Sequence, residues 1–381
     1  MKSTETTYGD HILSFHESAH EGDPSGKEGL EAVRSILGVL GPDWKPDAGH
    51  PLRSKLMLSS EDNYRWLIHF AQKLKELSRI PGSNHVLARF PPPDQYLGAL
   101  SEMDFALKIK LSGYPCKFAF QRGEPSPDLV AEIAGQETDI EITSLNRPYE
   151  ELAGFAAFDS VMMPAINARC RSGGMWARVP SPKELEEVRE KASKAVTQAN
   201  SERRMIELNI PGLLNCYIAP EDLASEIPVP WRGSFVMRTQ SPRPKKDRLA
   251  KTIVEKAKAQ LSRSKPSILV IYDRFSNPDE PQGFLDEKDI EIVVGTFPKL
   301  AGVILVFPFN AWDSPPPKRV NKNGRSYVEY SLSDSEVERC VIWGNPMVNH
   351  RSVLEPIINC LTDFPDNLNK MFASPQGSLT D

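Results

Sequence analysis

Residues 127–146 read PDLVAEIAGQETDIEITSLN, and the spacing of their apolar side chains decides the fold. Polar and apolar residues alternate on both sides of Gly135, and this period of two predicts two β-strands that each present one face to a core. Glycine followed by any residue is a sequence that two-residue hairpin turns favour, so Gly135 and Gln136 are predicted to form the turn. The stretch is therefore expected to be a β-hairpin.

The predicted register sorts the side chains of this hairpin onto two faces. It places Asp128 opposite Thr143 and Val130 opposite Glu141. The apolar face consists of Leu129, Ala131, Ile133, Ile140 and Ile142, and the acidic face of Asp128, Asp139, Glu141 and Thr143. Clustered carboxylates repel one another, and a bound divalent cation is the usual reason to keep them together. A surface hairpin with a polar outer face is the alternative explanation of the same pattern.

Length and composition describe an ordinary globular chain with long connections. Its 381 residues are enough for two domains, or for one domain with large insertions. The chain is 40% hydrophobic and 25% charged, which is typical of globular proteins. Its 33 prolines cluster in several runs, which predicts ordered but irregular loops between the elements.

Charge and cysteine usage limit the class of protein. A net charge of −5 argues against coating nucleic acid through bulk electrostatics, but it allows a local basic patch. The five cysteines form no CxxC pair, which indicates free thiols in a reducing compartment. No apolar run is long enough to span a bilayer, and the N-terminus lacks the apolar core of a signal peptide. We therefore expect a cytoplasmic protein without a membrane partner.

The N-terminal segment contains a match to the zinc-hydrolase motif HExxH. His16 and His20 have the spacing of two zinc ligands on one helix, with Glu17 as the general base. The residues Gly22-Asp23-Pro24 end any helix about one turn later, and no third ligand follows at the expected spacing. A zinc hydrolase is kept as an alternative, and a chance match in a polar tail is favoured.

The remaining patterns predict an α/β fold in which helices flank a central mixed β-sheet. Continuous apolar runs at Ile268–Tyr272 and Ala301–Phe307 indicate buried strands, and a short helix is predicted at 286–293. The predicted organisation is a flexible tail at 1–26, a helical region at 27–90, an α/β domain with insertions at 91–365 and a C-terminal tail at 366–381.

The helix predicted to follow three prolines, from Asp94 to Leu111, carries one carboxylate on its apolar side. Glu102 has apolar residues three, four and seven positions later, so its side chain is expected at the boundary of the core. Asp104 and Lys108 have the spacing of an ion pair on the solvent-facing side.

A basic segment lies between Arg169 and Arg178. This segment combines arginines, two glycines and Trp176, and it is predicted to be a loop. Such a loop can contact phosphates and stack on bases. Many exposed loops have the same composition, so contact with nucleic acid is one of two interpretations.

The order of these features resembles the PD-(D/E)XK nucleases, which have the restriction-endonuclease-like fold. The resemblance covers about Leu97–Leu145, with Glu102 as the helix acid, Pro127-Asp128 as the PD pair and Glu141 as the second acid. It implies Mg²⁺ or Mn²⁺ held by Asp128 and Glu141, with the carbonyl of Ile142 as a further ligand. The implied reaction is hydrolysis of a DNA phosphodiester by metal-activated water.

This chain departs from the family pattern at Thr143, where the family has a lysine. A threonine hydroxyl can bond a water but carries no positive charge. Lys108, Lys110 and Lys117 lie nearby in sequence, and Lys256 lies on a predicted helix before the strand Ile268–Tyr272. The predicted catalytic set is Glu102, Asp128, Glu141, Thr143 and Lys256.

The departure at Thr143 keeps one alternative open. A catalytically inactive nuclease fold would bind nucleic acid or a protein partner without cutting. The presence of all three acids favours cutting, because a protein that only bound a polyanion would have little use for clustered carboxylates. Nuclease folds often act as dimers, so a homodimer is a further expectation from the resemblance.

Overall fold

The structure of the protein is a computed structural model. It describes residues 12–14, 16–17, 24–41, 44, 50–56, 61–119, 126–144, 148–228, 231, 235–237, 246–259, 265–274, 296–310, 318–322, 325–331, 336–345 and 351–373. The helix predicted at 286–293 lies outside these residues, as do residues 1–11 and 374–381 of the predicted tails.

The described residues contain twelve β-strands, nine α-helices and one 3-10 helix. The strands are β1 Cys116–Phe118, β2 Leu129–Ile133, β3 Gln136–Ser144, β4 Cys170–Trp176, β5 Ile206–Ile210, β6 Leu214–Pro220, β7 Phe235–Met237, β8 Ser267–Tyr272, β9 Leu300–Asn310, β10 Lys318–Lys322, β11 Arg325–Ser331 and β12 Glu336–Gly344. The helices are α1 Pro24–Leu40, α2 Pro51–Leu56, α3 Glu61–Ser78, α4 Asn84–Leu87, α5 Pro93–Leu111, α6 Pro148–Asn167, α7 Pro182–Glu202, α8 Lys246–Ala259 and α9 Arg351–Ala373, with the 3-10 helix at Glu221–Glu226.

Eight strands form one mixed sheet in the order β1-β2-β3-β8-β9-β12-β11-β10. β3, β8 and β9 are parallel neighbours, whereas the other neighbouring strands are antiparallel. All residues of β8 are buried, as the apolar run predicts for a strand covered on both faces. The predicted α/β class, with a central mixed sheet flanked by helices, is confirmed.

The two faces of this sheet pack into separate hydrophobic cores. Ile268 and Val270 of β8 belong to the larger core, together with buried residues of α1, α3, α5 and α9. Leu269 and Ile271, which alternate with them, pack with Ile253 of α8 in the smaller core. α8 therefore covers the face opposite to α5, and the helices of the first ninety residues share a core with the sheet.

β2 and β3 form the predicted hairpin, but the turn and register differ from the prediction. Ala134 and Gly135 are the turn residues, with φ of 50° and 74°, and Leu129 pairs with Ile140. The predicted turn at Gly135 and Gln136 is wrong by one residue. Positive φ angles at both turn residues give a type I′ turn, whose twist matches that of the two strands. Each residue of β2 pairs with a residue of β3 two positions away from its predicted partner. Because side chains alternate with a period of two, every side chain stays on its predicted face.

The acidic face of β3 is buried, which contradicts the surface-hairpin alternative. β3 lies between β2 and β8 in the sheet, and Glu141 is paired in register with Leu269, which lies on the face that α8 covers. Asp139 is 3% exposed and Glu141 is 0% exposed. Two carboxylates are thus held inside the protein on an inner strand.

α5 is buried along most of its length, so the predicted solvent-facing pair of Asp104 and Lys108 is wrong. Lys73 approaches Asp104 at 3.3 Å, and Lys108 lies 2.9 Å from Glu338 of β12 with both side chains almost fully buried. The helix is enclosed by the sheet on one side and by α3 and α9 on others, so its polar residues find partners on those elements.

Residues 148–237 form a second unit between β3 and β8 in the chain. Its four-stranded sheet has the order β5-β6-β4-β7, and α6 and α7 pack on it around a core of its own that includes Trp176. Ser181 and Glu184 begin α7 with reciprocal side-chain to backbone hydrogen bonds, which satisfy the free amides of a helix start. The unit is therefore a folded insertion.

The segment predicted to be a basic loop from Arg169 to Arg178 is mostly strand β4, so that prediction is wrong. Its Gly174 is needed for packing between strands. A Cβ on Gly174 would lie 2.3 Å from the carbonyl oxygen of Asn215 on β6, and only glycine allows such a close approach.

None of the described helices is both long enough and apolar enough to cross a membrane.

Candidate active site

Asp128 and Glu141 meet at the open end of the hairpin. Asp128 comes directly before β2, and its Oδ2 accepts a hydrogen bond of 2.8 Å from the amide of Ile142. Burial and then the charge on Asp128 raise the pKa of Glu141, so the two carboxyl groups lie close together. Because Ile142 follows Glu141 on β3, the bond to its amide holds the two acids side by side.

Lys256 of α8 contacts Glu141 from a distant part of the chain. Its Nζ lies 2.8 Å from Oε1 of Glu141, although the two residues are 115 positions apart. α8 docks on the sheet through Ile253 and Ala257, and this packing presents Lys256 at the edge of the core with 30% of its side chain exposed. A buried carboxylate and a partly exposed ammonium group are thereby joined.

Glu102 approaches the pair from α5 and has an arginine partner. Arg89 Nη1 donates a hydrogen bond of 2.6 Å to Oε1 of Glu102. The Glu102 side chain is 4% exposed, whereas that of Arg89 is 32% exposed. Burial raises the pKa of Glu102, the charge on Asp128 raises it further, and Arg89 and Lys256 lower it, so Glu102 belongs to the same electrostatic site as Asp128 and Lys256.

Burial dominates the protonation of these acids. It raises the pKa of Glu141 to about 8, with a further increase from the charge of Asp128 and an opposing effect of Lys256. It raises the pKa of Glu102 to about 7, which Asp128 raises further and Arg89 lowers. The pKa of Asp128 is also raised by burial of its carboxyl group, against the hydrogen bond from Ile142. The cluster therefore binds protons near neutral pH unless another cation replaces them.

The donor atoms fit a hard divalent cation. Oε2 of Glu102 and Oε2 of Glu141 are buried, and neither receives a hydrogen bond from any described donor. Mg²⁺ is commonly held by one or two carboxylates, with water and substrate phosphate completing its shell. Within the described ranges no set of three or more His, Cys, Asp or Glu side chains is arranged to bind a metal. A metal ion at this site would therefore be held by Asp128 and Glu141, and Glu102 would not be one of its ligands.

The other predicted site residues have defined places. Thr143 is half-buried on β3, two residues after Glu141 and so on the same face, where it pairs in register with Ile271 of β8. The amide of Ile142 is used by Asp128, and its carbonyl remains a predicted metal ligand.

Two of the alternative lysines have partners away from this site. Lys108 contacts Glu338, and Lys110 donates to the side chain of Glu76 at 2.9 Å. Lys256 is thus the predicted lysine that the structure brings to Glu141.

Arg89 was not predicted from the sequence. It follows the short helix α4 and precedes the three prolines, in a segment without a motif. One indirect signal is Gly98, which lies one helical turn before Glu102 on α5. A Cβ at that position would lie 2.9 Å from Nη2 of Arg89, so the glycine leaves room for the guanidinium.

The geometry at His16 opposes the zinc-hydrolase alternative. Its Nδ1 lies 2.7 Å from the Tyr64 hydroxyl, and its Nε2 lies 2.7 Å from the carbonyl oxygen of Leu56. The side chain is fully buried. Both ring nitrogens are thus occupied in packing the N-terminal segment against α2 and α3, and His20 lies outside the described residues.

Two arginines of the segment predicted to bind nucleic acid are paired with carboxylates. Arg171 lies 2.7 Å from Glu221, and both Nη atoms of Arg178 bond to Glu184. These exposed pairs reduce the local positive charge that a phosphate-binding surface needs.

Comparison of this chain with protein-family models, with curated proteins and with solved structures finds no match.

Proposed function

We propose that this protein is a metal-dependent nuclease of the PD-(D/E)XK type that hydrolyses DNA phosphodiester bonds. The observation that carries the proposal is the contact of 2.8 Å between Lys256 and Glu141, beside the Asp128 carboxyl group that accepts a hydrogen bond from the amide of Ile142. Two acids and a lysine are the groups that this chemistry needs, and they come from three separate elements. The cytoplasm, where free thiols persist, is the proposed location.

Each residue has a role that follows from its place. Asp128 and Glu141 would hold Mg²⁺ or Mn²⁺, which when bound supplies a Lewis acid for the phosphate and a more acidic water. Lys256, which is partly exposed, orients the attacking water and places positive charge next to the phosphate oxygens. Glu102 orients water from the opposite side, and its bond to Arg89 fixes its carboxylate.

Lys256 also bears on the alternative of an inactive nuclease fold. That alternative rests on the threonine at position 143, since the motif lysine is missing there. A lysine from α8 that contacts Glu141 supplies the positive charge that Thr143 lacks. We therefore favour a nuclease whose lysine has moved to another element over a fold that only binds nucleic acid or a protein.

The test is cleavage of plasmid, single-stranded DNA and RNA with Mg²⁺, with Mn²⁺ and with a chelator. The wild-type protein is compared with Glu141→Ala and with the control Glu137→Ala. Glu137 is on the same strand and pairs with a lysine, Lys265, but its side chain is 49% exposed. Metal-dependent nicking that disappears in Glu141→Ala and persists in Glu137→Ala supports the proposal. Absence of cleavage on every substrate, together with no metal binding by calorimetry, would leave a nucleic-acid-binding fold.

A further inference from the structure

Arg89 is the more exposed partner of the buried Glu102. Its side chain is 32% exposed while that of Glu102 is 4% exposed, so Arg89 is the member of the pair that a solute can reach. Only Nη1 is bonded to Glu102. An arginine carries five N–H donors in a planar fork, and a single hydrogen bond to Glu102 uses a small part of this capacity.

The packing around Arg89 is built for its guanidinium. α5 passes so close that a Cβ on Gly98 would lie 2.9 Å from Nη2. Glycine in the middle of a helix costs about 0.5–1 kcal/mol relative to alanine, and here it opens the space that the arginine occupies. The hydrogen bond to Glu102 holds the guanidinium beside α5, and Gly98 leaves room for it.

The charge of Arg89 extends along the row of acids. It lowers the pKa of Asp128 as well as that of Glu102. Arg89 and Lys256 therefore act on the acids from two residues that are both partly exposed. A polyanion that approaches the carboxylates needs positive charge at the opening, because the acids alone would repel it.

We propose that Arg89 is a phosphate-binding residue, whose guanidinium donates hydrogen bonds to the non-bridging oxygens of a DNA backbone phosphate at the carboxylate site. This inference rests on the proposed nuclease function and names a substrate contact within it. The fork of an arginine matches two phosphate oxygens, and the bond to Glu102 orients that fork before the substrate arrives.

The test measures DNA binding apart from cleavage. A short fluorescein-labelled DNA duplex is titrated with protein at several NaCl concentrations, in buffer with Ca²⁺ to neutralise the acids, and anisotropy reports the affinity. Arg89→Gln is expected to bind roughly tenfold more weakly, the loss expected for a hydrogen bond to a charged group. The slope of log affinity against log salt should fall by about 0.9, the value for one phosphate contact.

Three further variants separate a phosphate contact from a structural role. Arg89→Lys keeps the charge and loses the fork, so its salt slope should remain while its affinity falls. Gly98→Ala displaces the guanidinium and should weaken binding in the same direction as Arg89→Gln. Arg34→Gln is the control, because Arg34 is an exposed arginine on α1 that is also paired with glutamates, and it should bind as the wild type does.

The outcomes distinguish this inference from the proposed function. If Arg89→Gln and Arg89→Lys are folded by circular dichroism and bind DNA with wild-type affinity and slope, Arg89 does not contact phosphate, even where Glu141→Ala abolishes cleavage. If the wild type cleaves no substrate and binds no metal, and Arg89→Gln still weakens DNA binding, the phosphate site is supported and the nuclease proposal is overturned.

Discussion

In the proposed nuclease, Thr143 stands at the position of the family's lysine, and Lys256 supplies the positive charge from another element. Thr143 lies two residues after Glu141 on the same strand, and Lys256 reaches Glu141 from α8. A side chain at position 143 shares the face of Glu141 because residues alternate along a strand. The same point in space is therefore accessible from two positions of the chain.

This geometry predicts that the lysine can be moved back. Lys256→Ala is expected to reduce the rate of metal-dependent plasmid cleavage by roughly 100-fold, a typical loss for a group that stabilises charge in the transition state. Adding Thr143→Lys to that variant should recover at least about tenfold, since a lysine at 143 extends from the face of Glu141. Lys258→Ala, an exposed lysine of the same helix, is the control. Wild-type cleavage by Lys256→Ala would contradict the assigned role.

The raised pKa of Glu141 predicts a pH-dependent stability. The ordinary pKa is 4.5 and the folded value is about 8, so between these values the unfolded chain is ionised while the folded protein keeps the proton. The free energy of unfolding therefore falls as the pH rises from about 4.5 to 8. Glu141→Gln removes this loss and should be more stable than the wild type by ~4 kcal/mol at pH 8, with little difference near pH 4.5.

Urea unfolding at several pH values measures this difference. Mg²⁺ should restore stability to the wild type at pH 8 but not to Glu141→Gln, because a cation that binds only the folded state shifts unfolding by mass action. A stability difference between the two proteins that is the same at pH 4.5 and at pH 8 would show that the Glu141 carboxyl group is not responsible.

At the scale of elements, the hairpin turn contains a strained residue. Ala134 has a φ of 50°, which is unfavourable for a residue with a Cβ, and Gly135 follows it. Asn-Gly is a preferred sequence for this turn, so Ala134→Asn should raise the free energy of unfolding by ~1 kcal/mol. Thermal denaturation measures the change, and Glu132→Asn, an exposed strand position on the same hairpin, is the control that should not be stabilised.

The contact between α5 and β12 includes a buried ion pair. Lys108 and Glu338 are 0% and 2% exposed and lie 2.9 Å apart, and the ammonium group also lies 4.6 Å from the centre of the Phe364 ring. Lys108→Ala leaves a buried carboxylate without its cation and should cost about 3–5 kcal/mol. The double variant Lys108→Met with Glu338→Leu should lose much less, because apolar residues replace both charges. Equal losses in urea unfolding would contradict this.

Elements were predicted best where their pattern depends on local sequence. The hairpin, the buried strands and α5 follow from periodicity, and the faces of the hairpin survived an error of two residues in its register. The partners of Lys108 could not be predicted in this way. A spacing of four residues on a helix indicates a surface pair only when that side of the helix is exposed, and the enclosure of α5 depends on β12 and α9, which come more than two hundred residues later.

The residues of the candidate site also differ in whether local sequence or tertiary structure determines them. Glu102, Asp128 and Glu141 were predicted from a motif, and Lys256 was one of several candidate lysines. Arg89 carries no motif, because its role follows from the path of the chain between α4 and α5. Its contact with Glu102 is a property of tertiary structure.

At the scale of the whole molecule, the inserted unit has a core separate from that of the main sheet. Trp176 is fully buried in it, and Trp176→Ala should destabilise that core by about 3–5 kcal/mol. Hydrogen exchange measured by mass spectrometry should then show faster exchange in β4, β5 and β6, with β3, β8 and β9 retaining their protection. Loss of protection in both sheets together would indicate that the two units unfold as one.

The position of the insertion also sets the order in which the site is completed on the ribosome. Glu141 and Lys256 are separated by 115 residues, so a nascent chain that has emerged through the inserted unit carries the acids but neither β8 nor the lysine. Contacts between such distant residues form late, since the intervening chain must be ordered first. A chain that stops in translation before α8 would therefore hold an inert set of carboxylates, and the proposed cutting of DNA would begin only after the chain has been made through α8 and β8.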